Sequence, residues 1–408
     1  MSKVSLVKCS SYNAKETAES AQKLISSLGG MQNFVRAGEK ILIKPNLLSA
    51  KDPEYGVTTH PEIVRQIVKL VKAAGATPII GDSPGGTSFH DIKLLWEKTG
   101  MARVARGENV ELVNFEAAGS FEINLDNKFV KAFRFSNVVK NVDGIINMPK
   151  LKTHSLMYLT AAVKNFYGII PGLIKTEYHK FAPRPDDFAT VLADIYAYIK
   201  PKVRLNVLDA VVSMDGQGPS GGNLKNTGFI AASSDAVSID SAAMKMLKGD
   251  QRQNKLISIL HHRELGETDI SKIEITGDFC DNLESFEFPE LGPPVELPDG
   301  VLPKGGAKAS FNFPSVKIFN RVPNFLANFM GKFLWVKPVI KPAECVSCML
   351  CLKSCPVDAI KVSESTKKPY VINKKCISCY CCHEFCQYKA MDFSYSLLAG
   401  ILLKKKKK

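Results

Sequence analysis

The sequence predicts an α/β protein, a mostly parallel sheet with helices on both faces, followed by a small α+β domain built around cysteine. Two observations carry this reading. Through about residue 250, short apolar runs rich in β-branched residues alternate with stretches of helical periodicity, the pattern of a sheet covered on both sides. Nine of the eleven cysteines then fall within Cys345–Cys386 at regular spacing.

VSLVKCSSY reads as the first strand and residues 15–35 as a helix, with Ala18, Ala21, Leu24, Ile25 and Leu28 on one face. KILIKPN is a second strand, stopped by Pro45. Thr59, His60, Pro61 and Glu62 mark a helix start, with Ile63, Ile67, Leu70 and Val71 as its apolar stripe. ATPIIGDSPGG is a strand entering a glycine loop, followed by a helix over 90–99 and the strand VELVNF. VDGIINMP and VRLNVLDAVV suit buried strands flanking a helix over 187–199. FIAASS is a further strand and 236–247 a further helix. The domain plan is an α/β domain over 1–285, a linker with a basic amphipathic helix over 286–340, the cysteine-rich domain over 341–395 and a lysine-rich tail over 396–408.

With 408 residues, 45% apolar and 23% charged, the chain has an ordinary soluble composition and length for two or three domains. No stretch approaches the roughly 18 apolar residues needed to cross a bilayer. The net charge of +14 is concentrated at the end, where residues 315–408 hold 17 Lys and Arg against 5 Asp and Glu. A basic end suits nucleic acid or an anionic membrane. Thiolate ligands offset part of this surplus, and no nucleic acid partner is expected. MSKVSLVKCSSY lacks the pattern of a secretory leader, and the clustered cysteines suit reduced thiols holding metal. The expected location is the cytoplasm, with the inner membrane face as an extension of it.

The cysteines form two quartets. Cys345, Cys348, Cys351 and Cys355 are spaced x2, x2, x3 and followed by Pro356; Cys376, Cys379, Cys382 and Cys386 repeat the spacing 31 residues later. Three thiolates two residues apart wrap three irons of one cube, and the fourth is carried to the other cluster. The expected cofactors are therefore two [4Fe–4S] clusters, one on Cys345, Cys348, Cys351 and Cys386, the other on Cys376, Cys379, Cys382 and Cys355. Zinc sites use paired CxxC motifs rather than two interlocked quartets. Cys381 is a spare thiol, and Gln387 stands where the first quartet has its proline. This pattern resembles bacterial two-cluster ferredoxins over about 55 residues, so the small domain is expected to be ferredoxin-like.

Polar clusters follow several strands of the larger domain. Lys44-Pro45-Asn46, the loop from Gly81 through Asp82 to Gly86, Lys150 to His154, Lys164-Asn165 and the loop from Asp215 through Gly216 and Gly218 to Gly222 all fall there. Ligands of open α/β sheets bind beyond the carboxyl ends of strands. Glycine amides and the lysines 44, 150, 152 and 164 suit a phosphate or carboxylate compound. His154 and Lys164 are the candidate proton-transfer residues, and Lys44, Asn46, Asp82, Lys150, Lys152, Asn165, Asp215, Gly216 and Gly218 the candidate binding residues. Single glycine loops, lone histidines and solvated lysines are more often structural, so their joint placement carries the argument. Neither GxGxxG after the first strand nor GxxxxGK[ST] anywhere is present, so no standard NAD or ATP site is expected.

KPNL, GDSPGG, NMPKLKTH, KNFYG, MDGQGPSGG and SSDAVSID occur in that order. Together they resemble the domain of unknown function 362 family over residues 3–250, a domain that often precedes a two-cluster ferredoxin domain. The resemblance implies Asp235 and Asp240 as further site candidates and implies no activity.

In residues 315–340, Ile318, Phe319, Val322, Phe325, Leu326, Phe329, Met330, Phe333 and Leu334 share one helical face and acidic residues are absent. Such a helix lies on an anionic membrane or packs on a domain interface. LLAGILL followed by five lysines permits either a membrane contact or a charged, frayed end.

The leading expectation is an iron–sulfur protein passing electrons between a redox partner protein and an anionic small molecule bound by the α/β domain, as an oxidoreductase. Two alternatives stay open: an electron carrier or docking module without catalysis, and a cofactor- or metal-handling enzyme whose clusters are structural or regulatory.

Overall fold

The computed structural model describes residues 2–85, 91–278, 286–289, 336–386 and 388–396. The lysine tail after Ser396, the amphipathic residues before Val336, most of the expected linker, Gly86 and Gln387 lie outside these residues.

The chain begins with β1 (Ser2–Lys8), α1 (Ala14–Ser26), β2 (Lys40–Pro45), α2 (Pro61–Ala73) and β3 (Thr77–Gly81). It continues through α3 (Ile92–Lys98), α4 (Met101–Glu108), β4 (Glu111–Val113) and the hairpin of β5 (Ser120–Asn124) and β6 (Ala132–Ser136). β7 (Gly144–Met148) and β8 (Lys150–His154) join across Pro149, and β9 (Tyr158–Thr160) folds back on β8. Helices α5 (Ala162–Asn165), α6 (Ile174–Phe181) and α7 (Pro185–Ile199) lead to β10 (Val203–Asp215) and β11 (Asn223–Ser233). The large domain closes with α8 (Ala236–Met246), α9 (Lys255–His262) and β12 (Ile273–Gly277).

The sheet runs β12–β1–β11–β10–β7–β2–β3–β4, with β8 beside β10 and β9 beside β8. From β10 to β4 the neighbours are parallel, whereas β11 lies antiparallel to both β10 and β1. Side chains alternate faces with period 2. Leu42, Ile145, Leu208 and Phe229 pack against Val163, Phe188, Leu192, Ile239 and Leu260 of α5, α7, α8 and α9. Ile41, Ile43, Ile146 and Ile230 pack against Leu24, Ile67, Leu95 and Val104 of α1 to α4.

Two expectations are corrected here. The first helix ends at Ser26 rather than near residue 35, because Gly29 and Gly30 take φ of 91° and 96°, which a right-handed helix cannot continue. The segment from Lys150 to His154, expected as a polar cluster following a strand, is itself a strand with all five residues buried. Its lysines enter the interior because β8 runs beside β10 and is covered by β9.

In the small domain, β13 (Val336–Ile340) pairs antiparallel with β16 (Met391–Tyr395), and β14 (Ile360–Val362) with β15 (Pro369–Val371). Two one-turn helices, Leu350–Lys353 and Cys381–Glu384, are 31 residues apart. So are the left-handed residues Ser347 and Ser378, Met349 and Tyr380, Asp358 and Lys389. Non-glycine residues adopt this conformation only where their surroundings demand it. Its recurrence at one offset shows the same backbone path followed twice.

Candidate functional site at the domain junction

Strands β7, β2 and β3 are neighbours, and their carboxyl ends deliver the polar segments to one place. Lys44, fully buried on β2, meets Asp82 after β3 at 2.6 Å, and Asp82 also accepts the Leu47 amide. Burial pulls the Lys44 pKa down and pushes that of Asp82 up, and the mutual contact opposes both, so each charge is compensated by the other. Lys150 is matched in the same way. Its Nζ stands 2.9 Å from Asp209 Oδ2 and 2.6 Å from the Tyr12 hydroxyl, which donates to Asp209 Oδ1. The Tyr12 ring stacks on His60 at 3.6 Å. Lys44 and Lys150 thus have their counter-ions inside the fold.

Lys152, Lys164 and Lys175 have no carboxylate within ion-pair distance among the described residues. Lys152 donates to Asn46 Oδ1 at 2.8 Å and Val57 O at 2.7 Å, both neutral. Burial and then the neighbouring Lys164 and Lys150 push its pKa well down. Lys175 donates to Ser83 Oγ, Ser83 O and Ile170 O, and burial pulls its pKa to about 8. Lys164, partly buried at the end of α5, makes no hydrogen bond or ion pair among the described residues. These three lysines, with Asn46, Asp82, Asn165, Thr160, Tyr167, His179, Glu384 and Phe385, line a cavity of about 60 Å³. A single water needs roughly 10–15 Å³.

Asn165 is held by its amide nitrogen, which donates to Asn147 Oδ1 at 2.8 Å and faces the carbonyls of Lys44 and Pro45. Those three acceptors orient the amide and leave Oδ1 buried without a partner. Thr160 Oγ1 and His179 Nδ1 are also buried and unpartnered. Asp240 of α8 accepts the Ala162 and Val163 amides and so anchors α5, which carries Lys164 and Asn165. Asp235 instead caps α8 through the Val237 and Ser238 amides.

His154 is fully buried at the end of β8. Its Nδ1 accepts the Leu156 and Met157 amides, so in the neutral ring the proton is on Nε2. Nε2 stands 2.7 Å from Glu384 Oε1 of the small domain, a close contact outside good hydrogen-bond geometry. Burial and then Lys164 bring the His154 pKa to about 4. Burial opposes ionisation of Glu384, yet the neighbouring cations hold its pKa low. With His154 neutral, the cation facing Glu384 is Lys164.

The loop after β10 has a different job. Asp215 accepts the Glu287 amide and lies 3.6 Å from Lys225, while the Gly216 amide donates to Glu287 O. Gly218 packs on Thr153, where a Cβ would fall 2.2 Å from the carbonyl. Asp215, Gly216 and Gly218 do not line the cavity. The loop meets the small domain instead: Ser220 Oγ donates to Glu384 O at 2.7 Å and Lys389 Nζ to Gly222 O at 3.3 Å.

The quartets surround two small spaces. One is lined by Cys345, Cys348, Cys351 and Cys386, the other by Cys355, Cys376, Cys379 and Cys382, with Cys381 beside them. Among the described residues no three His, Cys, Asp or Glu side chains converge as a single metal ion requires. The thiols stand around a volume, as a cluster demands. Cys381 packs with Ile377 and Phe385. The equivalent loops differ in burial: Cys348 is exposed and Val346 57% exposed, whereas Cys379 and Ile377 are buried at 8% and 3%.

The profile of a domain of unknown function, DUF362, matches residues 41–245, half the chain. The chain belongs to the DUF362 family. A 4Fe-4S binding domain matches residues 338–361, which holds the first cysteine quartet. The thylakoid-associated protein of Synechocystis sp. is 33% identical over 248 residues, 60% of this chain and 75% of that protein. A solved lactate racemase apoprotein from Thermoanaerobacterium thermosaccharolyticum aligns with a TM-score of 0.39 and 15% identity, over 59% of this chain and 56% of that one.

The DUF362 domain brings Lys44, Asn46, Asp82, Lys152, His154, Lys164 and Asn165 together at one end of its sheet, with Lys150 just behind. Sequence reasoning missed Thr160, Tyr167, Lys175, His179, Glu384 and Phe385. The last two carried a usable signal. At the 31-residue offset Glu384 replaces Lys353 and Phe385 replaces Ser354, so the repeat breaks where the small domain docks. Among the described residues no helix is long and apolar enough to cross a membrane.

Proposed function

We propose that this protein is a two-cluster iron–sulfur electron-transfer protein that moves electrons between a redox partner protein and a small anionic compound held in the junction cavity. Cys345, Cys348, Cys351 and Cys386 would hold one [4Fe–4S] cluster and Cys376, Cys379, Cys382 and Cys355 the other. When bound, the clusters supply reversible one-electron storage. The observation that carries the reading is the stretch Cys382–Cys386, which contributes thiols to both spaces and, through Glu384 and Phe385, a wall of the cavity. Lys152 and Lys164, without a carboxylate in ion-pair contact, offer positive charge to an anion, Asp82 lines the cavity with Lys44 paired to it, and His154 holds a proton at Nε2 toward Glu384. The exposed Cys345–Cys351 loop suits contact with the redox partner and the buried Cys376–Cys382 loop faces inward.

The ten described cysteines form no disulfides among themselves, which suits a reducing compartment such as the cytoplasm. The thylakoid association of the Synechocystis relative and the basic amphipathic pattern of residues 315–340 support peripheral contact with an anionic membrane. Co-sedimentation with vesicles containing anionic lipid tests this, and equal recovery with neutral vesicles overturns it.

The first experiment is purification without oxygen followed by iron, sulfide and reduced-state EPR measurements. About eight iron and eight sulfide with spectra of two interacting clusters are expected. Zinc, or iron for a single cluster after reconstitution, overturns the two-cluster assignment. Folded Cys348→Ser and Cys379→Ser variants that exchange electrons as fast as the parent overturn the electron-transfer role.

A further inference from the structure

Several buried charged groups at this end of the sheet are matched within the fold. Lys44 has Asp82, Lys150 has Asp209 and Tyr12, and Asp240 has two amides. The cavity wall differs in two independent ways. Three ammonium groups, those of Lys152, Lys164 and Lys175, face it without a carboxylate within ion-pair distance among the described residues. Three buried polar atoms on residues that line it, Asn165 Oδ1, Thr160 Oγ1 and His179 Nδ1, have no hydrogen-bond partner, and their residues are 3%, 4% and 3% exposed.

These requirements point to one kind of molecule. Buried ammonium groups call for an anion, since an unpaired buried charge is costly. Asn165 Oδ1 can only accept, because three acceptors already hold the nitrogen side of its amide. A halide, a sulfate or a plain carboxylate offers it no donor. Water would satisfy the oxygen and leave the lysines without an ion-pair partner. The free space admits only a few non-hydrogen atoms.

Building on the electron-transfer reading, we infer that the junction cavity binds a compact organic anion bearing a hydroxyl or amino group. Its carboxylate lies toward Lys164 and Lys152, and its donor group toward Asn165 Oδ1 and Thr160 Oγ1. Phe385 and Tyr167 limit its length. The ligand then occupies the junction against Glu384, the residue that docks the small domain.

The test is calorimetric titration of the full-length, cluster-loaded protein, kept free of oxygen, with a matched panel: glycolate, glycine and their three- and four-carbon homologues, against acetate, propionate and ethylene glycol. At least one hydroxy or amino acid is expected to bind tenfold or more tightly than the carboxylate of equal length, with ethylene glycol silent. Lys164→Met should abolish binding, and Asn165→Ala or Thr160→Val should erase the preference for the donor-bearing member. Iron content and melting temperature show that each variant is folded and loaded. Equal binding of matched pairs overturns the inference, as does no binding by any member. Either result with a full complement of iron leaves the electron-transfer reading standing; loss of that reading shows instead in the cysteine variants.

Discussion

Glu384 of the small domain places its carboxylate 2.7 Å from Nε2 of His154 in the DUF362 domain. With Ser220 Oγ donating to the Glu384 carbonyl, one residue meets that domain with both its side chain and its backbone. Glu384→Ala should therefore cost about 1–3 kcal/mol, the penalty of leaving a buried polar partner unmatched. Glu384→Gln, which keeps an oxygen near His154, should cost less. Urea midpoints of cluster-loaded protein check the order, and an alanine variant as stable as the parent would contradict it.

The fourth cysteine of each quartet lines the space of the other quartet. Cys386→Ala should alter the same EPR signal as Cys348→Ser, and Cys355→Ala the same signal as Cys379→Ser. Cys381→Ala should leave iron content unchanged. If instead each quartet loses its own signal, the crossed assignment is wrong.

Exposure separates the two loops more sharply than their spacing does. Cys348 is exposed and Cys379 is 8% exposed. Limited oxidation by ferricyanide should remove about half the iron before the rest. The EPR signal lost first should be the one sensitive to Cys348→Ser. Simultaneous loss would show that burial does not protect the inner site.

Asp240 supplies a pH dependence with a definite sign. Burial raises its pKa from 3.8 to about 7. Between these values the folded state holds a proton that the unfolded state has released. Stability from this group therefore falls as pH rises from about 4 to about 7 and is flat above, by at most on the order of 4 kcal/mol. Asp240→Asn should flatten that slope in urea unfolding at pH 5 and pH 8, and an unchanged slope would rule Asp240 out as its source.

Gly168 faces the buried Lys44–Asp82 pair. A Cβ there would lie 2.2 Å from Asp82 Oδ1 and 2.7 Å from Lys44 Nζ. The pair has little room, because Asp82 also holds the Leu47 amide. Gly168→Ala should destabilise by roughly 1–3 kcal/mol, the usual cost of overpacking, and weaken any ligand of the adjoining cavity. A neutral effect on the melting temperature would mean that the pair can shift.

Much of the architecture was legible because it rests on local chemistry. The strand KILIKPN, the helix opened by His60 and Pro61, and the alternation from β7 to α8 follow from side-chain periodicity and stop signals, which neighbouring residues carry themselves. The length of α1 was overestimated because its stripe continues to Leu28, and the left-handed glycines after it outweigh that stripe. The first cysteine quartet announced its chemistry for the same local reason: a 4Fe-4S binding loop is made by consecutive residues.

The sequence by itself determined the α/β class, the two interlocked cysteine quartets and the set of polar segments that follow the strands. Which lysines are free to meet a ligand was decided only in three dimensions. Lys44 and Lys150 read the same as Lys152 and Lys164 along the chain, and they differ because Asp82 and Asp209 arrive from distant strands to neutralise the first two. Glu384, remote in sequence from every residue of the DUF362 domain, completes the cavity for the same reason. Charge compensation in a buried site depends on distance through space, and strand order in the sheet, rather than order along the chain, sets that distance.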